Sequence, residues 1–228
     1  MGIKQNIEVL ESRIPKEVKL LAVSKTKPLE DLEEAYMAGM RDFGENKVQE
    51  MVGKAENFHK DVRWHMIGHL QSNKVKYLVD KVYLIHSLDS ITLLNEIEKV
   101  FGKANKVANT LIQINIGRED SKSGILEEDL YEFIRTIEEC KYVSVKGIMV
   151  IIPIGDEESN RKYFNKTKRI FDELKEKERE YKNISMSILS MGMTHDFMTA
   201  IEEGSNLIRI GTGIFGERNY NLGGGKNE

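Results

Sequence analysis

The chain has one cysteine, Cys140, so no internal disulfide can form, and a reducing cytoplasm is the expected setting. Neither sign of charge dominates. The 34 Lys+Arg stand against 37 Asp+Glu, which removes the electrostatic reason to expect a nucleic-acid partner. No apolar stretch approaches transmembrane length, so no membrane association is expected. The amino terminus, Met1-Gly2-Ile3-Lys4-Gln5-Asn6, lacks the apolar core of a signal peptide. Asn6 stands where myristoylation after Gly2 would ask for Ser or Thr. What remains is an ordinary globular composition, 40% hydrophobic and 31% charged, long enough over 228 residues for one large core.

Strand and helix signals alternate along the chain. A leading helix is predicted over Ile3 to Arg13, from Ile3, Ile7, Leu10 and Ile14 at helical spacing. A first strand runs up to Lys25, and Pro28 is predicted in the first turn of a helix that Gly39 caps. Further strands are predicted at Arg41–Gly44, Val62–Ile67, Val82–His86, Val107–Ile116, Val143–Ile152, Ile184–Leu189 and Leu207–Ile210. Helices are predicted between them, including a short one over Lys74–Val79. Eight strands alternating with helices, with no break in composition, predict a single α/β domain over residues 1–222. Its expected form is a (β/α)8 TIM barrel with an additional N-terminal helix. An open doubly wound sheet is the alternative. Residues 223–228, rich in glycine, read as a flexible tail.

Two features carry chemistry. Lys25 stands where a strand hands over to a helix, the rim on which parallel α/β folds build their sites. An amine sheltered there can form a Schiff base with an aldehyde. The second feature is Gly211-Thr212-Gly213-Ile214-Phe215-Gly216, which spells G-x-G-x-x-G after a strand. Only 12 residues follow Gly216, too few for a dinucleotide-binding unit with its second strand and ribose-binding acid. What survives is a glycine-rich turn after the last barrel strand, where barrels bind phosphate through backbone N–H groups. The turn after strand seven, Ser190-Met191-Gly192-Met193-Thr194, neighbours it and adds a hydroxyl. A strand-end lysine facing two such turns favours a phosphate that bears an aldehyde, and pyridoxal phosphate has both. Other candidates are weaker. His65 and His69 have metal-like i, i+4 spacing, but a strand and its exit loop separate them. Cys140 reads as a small packing residue, and the charged run over 175–180 as a solvated helix face.

These residues match a known family. The segments Ala22-Val23-Ser24-Lys25-Thr26-Lys27-Pro28, Phe43-Gly44-Glu45-Asn46-Lys47-Val48-Gln49-Glu50 and Trp64-His65-Met66-Ile67-Gly68-His69-Leu70-Gln71-Ser72-Asn73-Lys74 carry the resemblance. So do His86-Ser87-Leu88-Asp89, Gly147-Ile148-Met149, Ser190-Met191-Gly192-Met193 and Arg209-Ile210-Gly211-Thr212 with Ile214-Phe215-Gly216. The chain resembles the YggS/PROSC family of pyridoxal phosphate homeostasis proteins, whose barrel is similar to the amino-terminal domain of alanine racemase. Thr194 departs from a usual Ser, and Gly213 from a common Ala or Ser.

The resemblance implies pyridoxal 5'-phosphate as cofactor and Lys25 as its Schiff-base lysine. It implies Arg209 at the pyridine nitrogen, and Gly211, Thr212 and Ser190 on the phosphate. Asn46 and, more weakly, Met191, Ile67, His86 and Met149 would line the pocket. An arginine at the ring nitrogen makes a weak electron sink. Racemases with such an arginine draw a second base from a second domain, which this sequence is expected to lack. The favoured function is a cytoplasmic, monomeric binding protein that holds pyridoxal phosphate and delivers it to apo pyridoxal-phosphate enzymes. A racemase-like enzyme, and a cofactor-free aldolase acting through Lys25, stand as the alternatives.

Overall fold

The computed structural model describes residues 2–217. The tail over 223–228, and the end of the domain expected over 1–222, lie outside the described residues. Helix α1 (Ile3–Glu11) leads. Strands β1 (Lys19–Val23), β2 (Asp42–Glu45), β3 (Arg63–Met66) and β4 (Val82–Leu88) follow, then β5 (Ala108–Ile114), β6 (Val143–Val150), β7 (Ile184–Ser190) and β8 (Leu207–Ile210). All neighbours pair in parallel, and β1 pairs with β8 from Lys19↔Leu207 to Ala22↔Ile210, closing an eight-stranded barrel. The helices between them are α2 (Leu29–Met37), α3 (Val48–Asn57), α4 (Ile91–Lys103), α5 (Leu130–Glu138), α6 (Glu157–Glu176) and α7 (Phe197–Glu202). A single turn, α8 (Thr212–Phe215), follows β8. The fold is thus the (β/α)8 TIM barrel with its extra N-terminal helix, not an open sheet.

Each helix packs one apolar stripe on the barrel. In α5, Leu130, Phe133, Ile134 and Ile137 are all buried. Full burial of such side chains contributes roughly 1.5–3 kcal/mol each. Along the strands the period of two separates the barrel interior from this outer layer. Ala22, Ile112, Ile148, Met191 and Ile208 belong to the large core between sheet and helices. Their strand neighbours form two smaller apolar groups inside the barrel. One holds Leu21, Val23, Ile67 and Leu207. The other holds Leu84, Leu111 and Met149. The interior also contains His65, His86, Ser190 and Arg209, all buried and polar.

Some boundaries differ from the sequence reading. β1 ends at Val23 rather than Lys25. The Ser24 N–H still donates to the Gly44 carbonyl at 3.0 Å, but Thr26 turns the chain with φ 64°. Pro28 is the residue before α2 rather than in its first turn. Its φ of −71° and ψ of 165° are extended, and its carbonyl accepts from the Leu32 N–H. The predicted α-helix at Lys74–Val79 is a 3-10 helix over Ser72–Tyr77. Gly39 does end α2 as expected, with φ 104° and its N–H on the Tyr36 carbonyl.

Candidate functional site

A cavity of about 340 Å³ opens at the carboxyl ends of the strands. Lys25 and Asn46 reach it from the β1 and β2 exits, and Ile67, Gly68 and His69 from the β3 exit. Gln113 and the loop Ser121–Ser123 close a third side, and Thr194, Arg209, Gly211 and Thr212 a fourth. Gly68 is required for this shape. A Cβ there would run into the Asn46 backbone, so only glycine lets the β3 exit lie against the β2 exit. A larger groove of about 580 Å³ runs along α6 on the outside of the barrel. Several of its charges pair with one another, Arg161 with Glu203 and Glu202 and Lys162 with Glu158, and no strand end contributes to it.

The turn that carries Lys25 is held from both sides by a buried ion cluster. Lys54 Nζ on α3 donates to the Ser24 carbonyl, Glu45 Oε1 and Glu50 Oε1, each at 2.8 Å. The Ser24 hydroxyl donates to Glu45 Oε1 at 2.5 Å, and the Thr26 N–H to Glu50 Oε1 at 2.6 Å. The residues before and after Lys25 are therefore tied to one cation and its two carboxylates. Burial pushes the Glu45 carboxyl above the usual carboxylate range, although Lys54 pulls the other way. Lys27 adds a further tie, donating from Nζ to the Phe215 carbonyl at 2.9 Å, and so links the β1 exit to α8.

Arg209 is buried inside the barrel, at 4% exposure. Its Nη1 donates to the Ser190 carbonyl at 2.8 Å and to the Ser190 hydroxyl at 2.7 Å. Nη2 donates to the Val150 carbonyl at 2.8 Å. The second Nη2 hydrogen and the Nε hydrogen are the donors left for a bound molecule. Desolvation lowers the guanidinium to about 10, against the pull of Asp196, so it stays charged at neutral pH. Gly192, with φ 95°, lets the β7 exit turn back so that its carbonyl accepts from the Arg209 N–H at 3.0 Å.

Lys25, Asn46, Arg209, Gly211 and Thr212 are thus brought together on one cavity, with Ile67 on its wall. Ser190, fully buried, lies beneath it and reaches the site through Arg209. The Met191 side chain packs in the layer between barrel and helices, away from the cavity. Met149 and His86 are buried in the interior below. His65 and His69 do not converge. His65 pairs with His86 and Asp42, whereas His69 pairs with Asp89 at 2.8 Å. Among the described residues no group of His, Cys, Asp and Glu is arranged to hold a metal ion. Cys140 is buried, and desolvation pushes its thiol up to about 11, which suits packing.

Sequence reasoning missed the Glu45–Glu50–Lys54 cluster and the β5 loop. Glu50 and Lys54 are four apart on a predicted helix, a signal that was readable. The loop was not readable. Gln113 holds it by donating to the Ser123 carbonyl at 2.8 Å, ten residues on and outside any period.

Known proteins resemble this chain in sequence and fold. The family described as the alanine racemase N-terminal domain matches residues 2–219. A pyridoxal phosphate homeostasis protein of Aquifex aeolicus is 48% identical over 204 residues, covering 89% of this chain and 88% of that protein. One of Pasteurella multocida is 40% identical over 225 residues, covering 96% and 95%. Among solved structures, PipY of Synechococcus elongatus with PLP bound superposes with a TM-score of 0.85 at 32% identity, covering 94% of this chain and 100% of that one. The alanine racemase of Clostridium difficile in complex with cycloserine, with a TM-score of 0.78 at 14% identity over 96% of this chain and 60% of that one, shares the fold.

Proposed function

The chain belongs to the family of pyridoxal phosphate homeostasis proteins built on the alanine racemase N-terminal domain, and from that premise we propose that it holds pyridoxal 5'-phosphate on Lys25 and takes part in keeping and delivering that cofactor in the cell. The observation that carries this reading is the single cavity on which a strand-exit lysine, a buried arginine and the glycine turn after β8 meet. A volume of about 340 Å³ suits one substituted ring with its phosphate.

In this reading Lys25 Nζ would hold the group through its aldehyde carbon, which would supply the electrophile for a Schiff base with loss of one water. The backbone N–H groups of Gly211 and Thr212, with the Thr194 and Thr212 hydroxyls nearby, take the phosphate. Ser190 contributes from below, by fixing Arg209. The remaining Arg209 donors would hold the ring nitrogen. A guanidinium there disfavours a protonated ring, and a neutral pyridine is a poor store for the electrons of a carbanion. The site is therefore better equipped to keep the cofactor than to process amino acids with it. The relatives' names, which speak of homeostasis, agree. The protein is expected to act as a monomer, with apo pyridoxal-phosphate enzymes as recipients.

The test is the absorbance of the purified protein with pyridoxal phosphate, before and after borohydride. A visible band that borohydride removes, and that Lys25→Ala never develops, is expected. A protein that takes up no chromophore would instead support a cofactor-free role for Lys25.

A further inference from the structure

A buried string of side chains runs through the barrel from its amino-terminal mouth to Arg209, and the proposed function uses only its last member. Asp42 at the start of β2 receives His65 Nε2 at 3.0 Å. His65 Nδ1 lies 2.9 Å from His86 Nε2, and His86 Nδ1 3.3 Å from the Ser190 hydroxyl. That hydroxyl in turn accepts from Arg209 Nη1. The links join β2, β3, β4, β7 and β8, and both imidazoles are almost fully buried.

The two ends of this string can each act in one sense only. Arg209 can only donate. Asp42 can only accept while ionised, and it is kept ionised: burial works against the carboxylate, but hydrogen bonds from Arg63 and His65 outweigh it. From the Asp42 end, His65 must carry its proton on Nε2, so its Nδ1 accepts from His86 Nε2–H. That leaves His86 Nδ1 as an acceptor for the Ser190 hydroxyl. From the other end, the Ser190 oxygen accepts from Arg209 and must send its own proton onward to His86. Both ends demand the same arrangement, with two neutral imidazoles protonated on Nε2 and every bond pointing from Arg209 toward Asp42.

We propose that Asp42, His65 and His86 are positioning residues that fix the Arg209 guanidinium from the far end of the barrel, by holding the Ser190 hydroxyl in the one orientation that accepts from it. The proposal rests on the reading above in that Arg209 is taken to face the bound ring. A proton on His86 would turn Nδ1 into a donor, reverse the Ser190 hydroxyl and leave that hydroxyl's hydrogen without its acceptor. The groups around the string hold it in the neutral state. Desolvation lowers both imidazoles, Arg209 adds to this at His86, and Arg63 and Lys19 add to it at His65, where Asp42 alone opposes. The Tyr83 ring lies 5.4 Å from His65.

The test begins on the protein without cofactor. Nitrogen-15 NMR at neutral pH should show His65 and His86 both neutral and protonated on Nε2, with slowly exchanging Arg209 Nη1 hydrogens. His86→Leu should speed that exchange by about tenfold or more, because a charged donor loses its fixed acceptor. His86→Gln should restore it, since an amide can accept from Ser190 and donate to His65. Asp42→Ala should release the tautomers without unfolding the barrel, as judged by circular dichroism. A His86 protonated on Nδ1, or an Arg209 signal indifferent to His86→Leu, would overturn the proposal. Pyridoxal phosphate is then added, and His86→Leu should bind it about fivefold or more less tightly than His86→Gln. Equal affinities would also overturn it. If the wild-type protein shows the expected NMR pattern but takes up no pyridoxal phosphate, the positioning string stands and the cofactor reading fails.

Discussion

Arg209 shows how one side chain narrows what a site can do. It is charged, buried and held through Nη1 and Nη2 by Ser190 and Val150, so its remaining donors have a defined direction. Arg209→Glu should favour a protonated ring in the bound cofactor and weaken binding, since a charge is reversed in a buried place. Nitrogen-15 NMR of labelled cofactor reports this directly. A wild-type ring already protonated at neutral pH would contradict the role given to Arg209. Across the cavity, Thr212→Pro removes one backbone donor proposed for the phosphate, and charge-assisted bonds of this kind are worth about 1.5–3 kcal/mol. Affinity for pyridoxal phosphate should fall about tenfold or more, with little change for pyridoxal. Equal losses for the two aldehydes in a titration would show that the turn does not hold phosphate. That Lys25 and Gly211 lie at strand exits was legible in the sequence because a strand end and a glycine turn announce themselves locally, whereas Arg209 entered only through the family resemblance. The role of Ser190 was less so. Its hydroxyl is defined by His86, 104 residues away, and no local pattern records that pairing.

At the scale of elements, the β1 exit and helix α3 form one unit. Lys54, Glu45 and Glu50 hold the turn around Lys25, and Glu45 Oε1 alone takes bonds from both Ser24 and Lys54. Breaking a buried ion pair by removing one partner costs about 3–5 kcal/mol, because the other charge stays behind in a dry place. Lys54→Met should destabilise the fold by about that amount, and the double variant with Glu45→Gln should recover part of it. Denaturant unfolding measures both. A loss below about 1 kcal/mol for Lys54→Met would mean that the cluster behaves as a surface pair. The strands themselves were readable as short apolar runs between turn residues, and β8 matched its predicted bounds, Leu207–Ile210. The end of β1 was misplaced because Val18 to Ser24 reads as one run, while the turn is set by Glu50 and Lys54 from the following βα unit.

For the whole molecule, the closed barrel combines an apolar outer layer with an interior that carries a polar string between two apolar groups. Burial lowers the His86 imidazole well below its ordinary range, with His65 and Arg209 adding to the effect. The sign follows. Below about pH 6.5 the unfolded chain takes up a proton that the folded one refuses, so stability is complete above that pH and lost as the pH falls. The slope contributed by His86 is up to about 1.4 kcal/mol per pH unit. Glu45, raised by burial, acts in the opposite sense at lower pH. Unfolding of wild type and His86→Gln should therefore be compared, since Glu45 is common to both. The variant's profile between about pH 6.5 and 5 should be flatter. Parallel profiles would place the acid sensitivity elsewhere.

Alternation of strands and helices was enough to count the barrel, but what its interior holds depended on residues far apart in the chain. The claim on which the rest turns is that Lys25 is the residue that captures the cofactor. The most direct measurement is borohydride reduction of the protein with pyridoxal phosphate, followed by mass analysis of its peptides. A pyridoxyl phosphate on the Lys25 peptide is the expected result. A label mainly on Lys27, Lys47 or Lys74, with Lys25 unmodified, would contradict it.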